Sequence, residues 1–525
     1  MHSLPPVVLI AMFVVFGSSE SAKILVYSPS ISNSHIIMNG RIADTLKRAG
    51  HDVTLFIPEY DHTNSINGTK LARIVRMNSL SAAFEESFQD LDMFGSHTAS
   101  IWERMAFEDA LVSVCEGFDY DAEERVGRAE ELWIRRRLLR NGRLLRSRSD
   151  QIPRIMNHIW ISTTPILDTV AYNLGIPTPL SYVPVVEEND LGTVMNFVDR
   201  ANNLWKYLVS VIVHHYGTDK TTEVFRRHAS ADFPNVRQIA SESSLCFVNS
   251  DEFLDIAQPI LHKTVFVGGL GIGPARPLQE PFASMMTKGS KGVILMSMGT
   301  IVPTSSIPLD LRRGIFGAFS NFSDYHFIVK VDKEDTESAG LLEFIPNIDL
   351  VTWMPQSDIL GHPRLSAFIM HGGFNGLLEA AIRGVPVVVI PFFADQFRNA
   401  RTAEYRGFGI AIQKTEFNGE SLTSALQRIV SDTRYKQAAL RISKLIRTKP
   451  FKAEERFTEW TNFVVENGRL TNFDVVGAHL NFFVYNNLDV IAVVTIVLAV
   501  ASFLILRMAR AVFRAVFSAP KPKIE

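Results

Sequence analysis

Residues 353–396 read WMPQSDILGHPRLSAFIMHGGFNGLLEAAIRGVPVVVIPFFADQ. Two apolar runs of strand length, Leu365–Met370 and 387–390, flank a glycine-marked turn. His371-Gly372-Gly373 breaks the first run. Asn375, a good N-cap type, opens a helix predicted over 376–383. Gly384 and Pro386 end it in the usual order. The HGGFN loop is therefore a strand-to-helix turn. Its glycines let backbone N–H groups approach a ligand, and a helix N-terminus favours an anion, with diphosphate the natural occupant. Glu379 lies about one helical turn beyond Asn375 on the same face, where a carboxylate can accept from a ribose diol. Trp353 offers a flat face to a base, and Gln356 a donor and an acceptor to a pyrimidine edge. Asp395 and Gln396 follow the second strand, where sugar hydroxyls would meet them. Each residue alone is a common core or turn residue; together they read as a nucleotide-sugar site.

Outward from this stretch the chain divides into two α/β halves. Lys23–Tyr27 reads as a strand, 36–49 as an amphipathic helix ended by Gly50, and 53–57 as the next strand, the βαβ start of a doubly wound sheet. Residues 247–249 and 265–267 look like late strands of that half. The Gly/Pro-rich run 268–277 reads as a linker. Its GGLGIG is not a dinucleotide fingerprint, because Pro274 and Pro277 prevent a helix from starting and the third glycine is misplaced; a nicotinamide oxidoreductase is set aside on that ground. Gly292–Ser297 opens the second half, and 436–467 is mostly helical.

The 353–396 stretch resembles the signature of the UDP-glycosyltransferases, the family-1 type with the GT-B fold. Trp353, Pro355, Gln356, Leu360, His362, Phe368, His371, Gly372, Gly373, Asn375, Glu379, Gly384, Pro386, Pro391, Asp395 and Gln396 stand at the family's spacing, with Met370 where the family has Ser or Thr. The resemblance implies two Rossmann-like doubly wound domains facing a cleft. It implies UDP-sugar contacts from Trp353, Gln356, His371, Gly373, Asn375, Gly376, Glu379, Asp395 and Gln396. Met296-Ser297-Met298-Gly299-Thr300 resembles the family's Ser-x-Gly-Ser turn and adds Thr300. Ser34-His35, just after the first strand, matches the family's general base. A neutral His35 would take the acceptor's proton as its oxygen attacks the anomeric carbon, with inversion. No cofactor or metal is implied: the helix N-terminus and His371 absorb the diphosphate charge. Asp90-Leu91-Asp92 and Asp119-Tyr120-Asp121 fit the short Asp-x-Asp string of metal-dependent transferases, but neither follows a strand signal.

The ends set the compartment. An apolar run at 7–16 followed by small residues reads as a signal peptide, residues 1–22. The run 490–506 carries no charge and reaches roughly 26 Å as a helix. Arg507, Arg510 and Arg514 follow it and place the tail in the cytosol. Lys521 and Lys523 resemble a dilysine retrieval signal. The expectation is a type I protein of the endoplasmic reticulum membrane with a lumenal body, where the sequons at Asn67 and Asn321 would be glycosylated. Only two cysteines are present, and Lys plus Arg (53) nearly balance Asp plus Glu (55). Disulfides do not carry this fold, and nucleic acid is no obvious partner.

The resemblance is to the animal, membrane-anchored UDP-glucuronosyltransferase branch. It implies an N-terminal acceptor-binding domain over 23–267, linker 268–290, C-terminal UDP-sugar domain 291–470, membrane-proximal segment 471–489, transmembrane helix 490–506 and tail 507–525. The implied reaction moves glucuronic acid from its UDP-sugar to a hydroxyl of a small lipophilic acceptor, with UDP-glucose as the alternative donor; homo- or hetero-oligomerisation is left open. The chain departs from the family at 115–153, where a buried strand ending in the acid that orients the catalytic histidine is expected. Seven arginines fall between Arg135 and Arg148 instead, as in a helical or disordered insertion or an error in the written sequence. A UDP-binding protein without activity, lacking that acid, is a further alternative.

Overall fold

The computed structural model describes residues 21–30, 32–59, 66–78, 100–116, 157–228, 230–299, 302–342 and 345–517. Residues 1–20, both Asp-x-Asp strings, the arginine-rich segment, Thr300, Lys521 and Lys523 lie outside them. The described chain separates into two compact units, one ending at Asp474 and one from Val475 onward.

Three parallel sheets build the first unit. Strands β1 (Lys23–Tyr27), β2 (Asp52–Glu59) and β3 (Arg73–Asn78) form one; β4 (Trp160–Ser162), β5 (Cys246–Val248) and β6 (Thr264–Phe266) form another. Both pack on one core: Val26 and Leu55 join Phe247 and Val265. The third sheet contains β7 (Gly292–Ser297), β8 (Tyr325–Lys330), β9 (Ile348–Val351), β10 (Leu365–Met370), β11 (Val387–Val389) and β12 (Gly409–Ala411), in the order β12-β11-β10-β7-β8-β9. Its strands are nearly continuous apolar runs because helices cover both faces. Along β7, Val293 and Leu295 enter the core on one face, and Ile294 and Met296 the core on the other.

Local expectations shift by a few residues. The first helix is Asn33–Arg48 rather than 36–49. The helix after β10 is Phe374–Arg383, and its N-cap is Gly373, not Asn375. Gly384, with φ +70°, supplies the left-handed residue that ends it. No helix begins in 268–281. Among the elements that the sequence reading does not include are β3, the helix Ile101–Glu116 and the 32-residue helix Phe197–His228 in the first half, and β8, β9, β12 and the helices Leu309–Ser320 and Gly419–Ser431 in the second.

The segment 436–467 resolves into helices Thr433–Thr448 and Ala453–Asn467. The second packs on the N-terminal half: the Phe457 ring lies tilted against Phe247 with centroids 4.7 Å apart, and Asn462 Oδ1 lies 2.9 Å from His51 Nε2. In the second unit, Leu488–Phe517 is one helix, longer than the expected 490–506 and running through Arg507, Arg510 and Arg514. It is long and apolar enough to cross a membrane, and none of its residues is buried.

Candidate active site

In the six-stranded sheet, the chain leaves β7 toward β8 on one side and enters β10 on the other. Open α/β sheets bind ligands outside the carboxyl ends of strands at such a switch point. Here β7 ends at Ser297, β8 at Lys330 and β10 just before His371. A cleft of about 1900 Å³ opens there, lined by residues of both halves.

Its innermost corner is built around His371. A Cβ on Gly299 would stand 2.5 Å from the ring's Cε1, and one on Gly373 would stand 2.4 Å from Nε2. Both positions must therefore be glycine for the imidazole to lie between the two turns. Burial pushes the His371 pKa down to about 4; the nearby positive charge of Lys330 adds to this, and a backbone contact from Ser297 opposes it. The ring is neutral at pH 7, and its Nδ1 has no partner among the described residues. Lys330 Nζ donates to Gly299 O at 2.7 Å. This lysine had escaped the sequence reading; its position at the end of the strand YHFIVK was the available signal. The corner thus offers backbone amides, an imidazole and an ammonium to an anion.

Glu379 sits one turn into the helix and is only 7% exposed. Gln356 Nε2 donates to its Oε2 at 3.0 Å, and Arg41 Nη2, from the N-terminal half, donates to its Oε1 at 3.1 Å. Gln356 therefore turns its N–H toward the carboxylate rather than only toward a base. Trp353, two residues past β9, is 69% exposed, with Phe282 edge-on at 6.4 Å. Asn375 is occupied across the cleft: its Oδ1 accepts from Asn249 Nδ2 at 2.7 Å. Gly376 packs near Met370, whose Cε would lie 3.1 Å from an added Cβ.

Asp395 and Gln396 begin the helix after β11. Desolvation raises the Asp395 pKa to about 6, opposed by a hydrogen bond from Asn399 Nδ2 at 2.8 Å. Gln396 is buried, and its Oε1 accepts from Phe392 N at 2.9 Å, stapling its own loop. Across the cleft, Glu188 Oε1 accepts from Ala394 N at 2.8 Å, while Glu188 N donates to Ala394 O at 3.0 Å. Both residues have positive φ, +53° and +54°, so this pairing fixes a strained turn beside Asp395.

His35 lines the same cleft from the N-terminal wall. Its Nδ1 lies 2.6 Å from Ser32 Oγ, which in turn lies 2.8 Å from Ser34 Oγ. Ser32 is the N-cap of its helix yet makes no cap hydrogen bond, because its hydroxyl is turned to the imidazole. Burial lowers the His35 pKa. With Nδ1 held by a hydroxyl, Nε2 can carry the lone pair a base needs. Asn67 and Asn321 are both exposed.

A sequence profile for UDP-glucoronosyl and UDP-glucosyl transferase matches residues 154–523. A putative UDP-glucuronosyltransferase of Caenorhabditis elegans, ugt-50, is 35% identical over 479 residues, covering 90% of this chain and 91% of its own. UDP-glucosyltransferase 2 of Dactylopius coccus is 26% identical over 372 residues, 69% of this chain and 71% of its own. Among solved structures, Os79 of O. sativa in complex with UDP aligns with a TM-score of 0.52 at 16% identity, covering 84% of this chain and 99% of that one. That likeness, with the parallel sheets and the switch-point cleft, makes the fold GT-B. The chain belongs to the UDP-glucoronosyl and UDP-glucosyl transferase family.

Proposed function

We propose that this protein is an inverting transferase that moves glucuronic acid from UDP-glucuronate to a hydroxyl of a small lipophilic acceptor. One observation carries the reading: His35 on one wall faces the same cleft as the His371 corner, Glu379 and Asp395 on the other. In this reading Trp353 stacks on the uracil and Glu379 accepts from the ribose. The amides after Gly373, with His371 and Lys330, hold the diphosphate, and Asp395 and Gln396 meet the sugar. His35 Nε2 removes the acceptor proton as its oxygen attacks the anomeric carbon; UDP leaves from the opposite face, its charge met by the helix N-terminus without a metal ion.

UDP-glucose is the alternative donor, in keeping with the glucosyltransferase in the family's own description. A protein that binds UDP without transferring sugar is a second reading, motivated by the atypical stretch at 115–153. Product analysis with purified protein, a phenol and each UDP-sugar separates the three. Glucuronide supports the proposal, glucoside moves the donor, and UDP binding without product supports the second reading.

We further propose residence in the endoplasmic reticulum membrane, type I, with residues 23–487 lumenal. Cleavage of a signal peptide, glycosylation at Asn67 and Asn321, and retrieval through Lys521 and Lys523 belong to the same proposal.

A further inference from the structure

We propose that Arg41 is a positioning residue of the donor site: it holds the Glu379 carboxylate for the ribose and makes donor affinity depend on how the two halves of the cleft meet. The inference rests on the reading of Glu379 as the ribose carboxylate and adds a residue from the opposite half to it.

The geometry is specific. Arg41 Nη2 reaches Glu379 Oε1 at 3.1 Å across 338 residues of sequence. The carboxylate side chain is 9% exposed and the guanidinium side chain 25%. In a pair this far out of solvent, removing one partner leaves the other uncompensated. Arg41 does not spend itself on its own helix. Asp44, one turn on, is taken by the backbone N–H groups of Lys70 and Leu71 at 3.1 and 3.0 Å.

Arg41 and a ribose need not compete. An ionised carboxylate has about four lone-pair positions. Arg41 takes one on Oε1 through a single N–H, and Gln356 takes one on Oε2. The remaining positions can accept both hydroxyls of a diol, while the two donors fix the rotamer that presents them.

The GGLGIG run sets the stem of Arg41. A Cβ on Gly271, φ +73°, would stand 3.0 Å from both Cβ and Cγ of Arg41. A Cβ on Gly269, φ +86°, would stand 2.8 Å from Ile382 Cδ1, on the helix that carries Glu379. The connecting segment thus touches both helices, one through each glycine. A change in its path moves the guanidinium relative to the carboxylate, and that is how the meeting of the two halves and donor binding become coupled.

The test uses the purified full-length chain and compares wild type, Arg41→Ala, Arg41→Lys, Glu379→Gln and the Arg41→Ala/Glu379→Gln double variant. UDP affinity is measured by calorimetry, donor KM and kcat by product formation, and folding by thermal melting. Arg41→Ala is expected to weaken UDP binding and raise donor KM by about tenfold, with kcat at saturating donor within about twofold of wild type. Arg41→Lys should recover part of the loss, and in the Glu379→Gln background the same change should do nothing further. Unchanged or tighter UDP binding in Arg41→Ala overturns the proposal, since the arginine would then be idle or a competitor of the ribose. Equal losses in both backgrounds also overturn it. If Glu379→Gln itself binds UDP like wild type, the ribose reading fails and Arg41 falls with it; loss in Glu379→Gln but not in Arg41→Ala removes Arg41 alone.

Discussion

At the scale of single residues, the pairing of His35 with Ser32 replaces a charged partner by a neutral one. A hydroxyl at 2.6 Å orients the ring but does little to raise its basicity, and burial lowers it further. In the proposed mechanism His35 is the base and is deprotonated at neutral pH, so protonation removes activity only on the acid side. The acid limb of kcat/KM should therefore fall below pH 6.5, the ordinary imidazole value, and a limb at or above it would contradict the environment described for His35. His35→Ala should keep UDP affinity and lose about 10²- to 10⁴-fold in transfer, the usual contribution of a positioned base; unchanged turnover of the purified variant would remove His35 from the mechanism. His371 carries its own pH effect. Its folded pKa is about 4 and its ordinary value 6.5, so the unfolded chain binds the proton first as pH falls. This group costs the fold stability progressively between pH 6.5 and about 4, and none above.

At the scale of elements, the strand-to-helix turn after β10 works because two glycines flank a ring. Gly373→Ala places a Cβ 2.4 Å from His371 Nε2. The ring must move, and UDP affinity should drop by tenfold or more while the melting temperature falls modestly, since the helix itself tolerates alanine; calorimetry alongside a thermal melt reads both. Helix Ala453–Asn467 makes a different kind of contribution. Phe457 is 2% exposed and packs on Phe247, β-sheet core of the opposite half. Phe457→Ala should cost about 3–5 kcal/mol of stability, as truncation of a buried phenylalanine does, with donor KM unchanged in the protein that remains folded. Stability equal to wild type in a denaturant titration would show that this helix is not part of the core.

At the scale of the whole molecule, the helix Leu488–Phe517 leaves large apolar side chains such as Leu498 (62%) and Ile505 (60%) exposed. At 1.5 Å per residue its 30 residues reach roughly 45 Å, enough to cross a bilayer and extend beyond it. The protein should resist extraction from membranes by alkaline carbonate, and a chain truncated before residue 488 should be released. In intact microsomes the body should be shielded from protease while the tail is clipped, as the arginine flank implies. A shielded tail and a cleaved body would invert the topology.

Much of the donor wall was legible in the sequence, because its chemistry is local. Strand, glycine turn, helix and acid follow one another within 353–396, and residues that make the turn also line the cleft. Even there one detail belonged to tertiary structure: the cap is Gly373 rather than Asn375, whose side chain accepts from Asn249 of the other half. What the sequence by itself determined was the strand, glycine turn, helix and strand over 365–390 and the late apolar helix, since periodicity and turn chemistry act over a few residues; His35 as the general-base candidate came from the family resemblance. The pairing of Arg41 with Glu379, the Glu188–Ala394 clamp and the return of Phe457 to the N-terminal core were decided only by the tertiary structure. Each joins residues far apart in the chain, where hydrogen-bond geometry and packing select the partner and no local pattern records the choice.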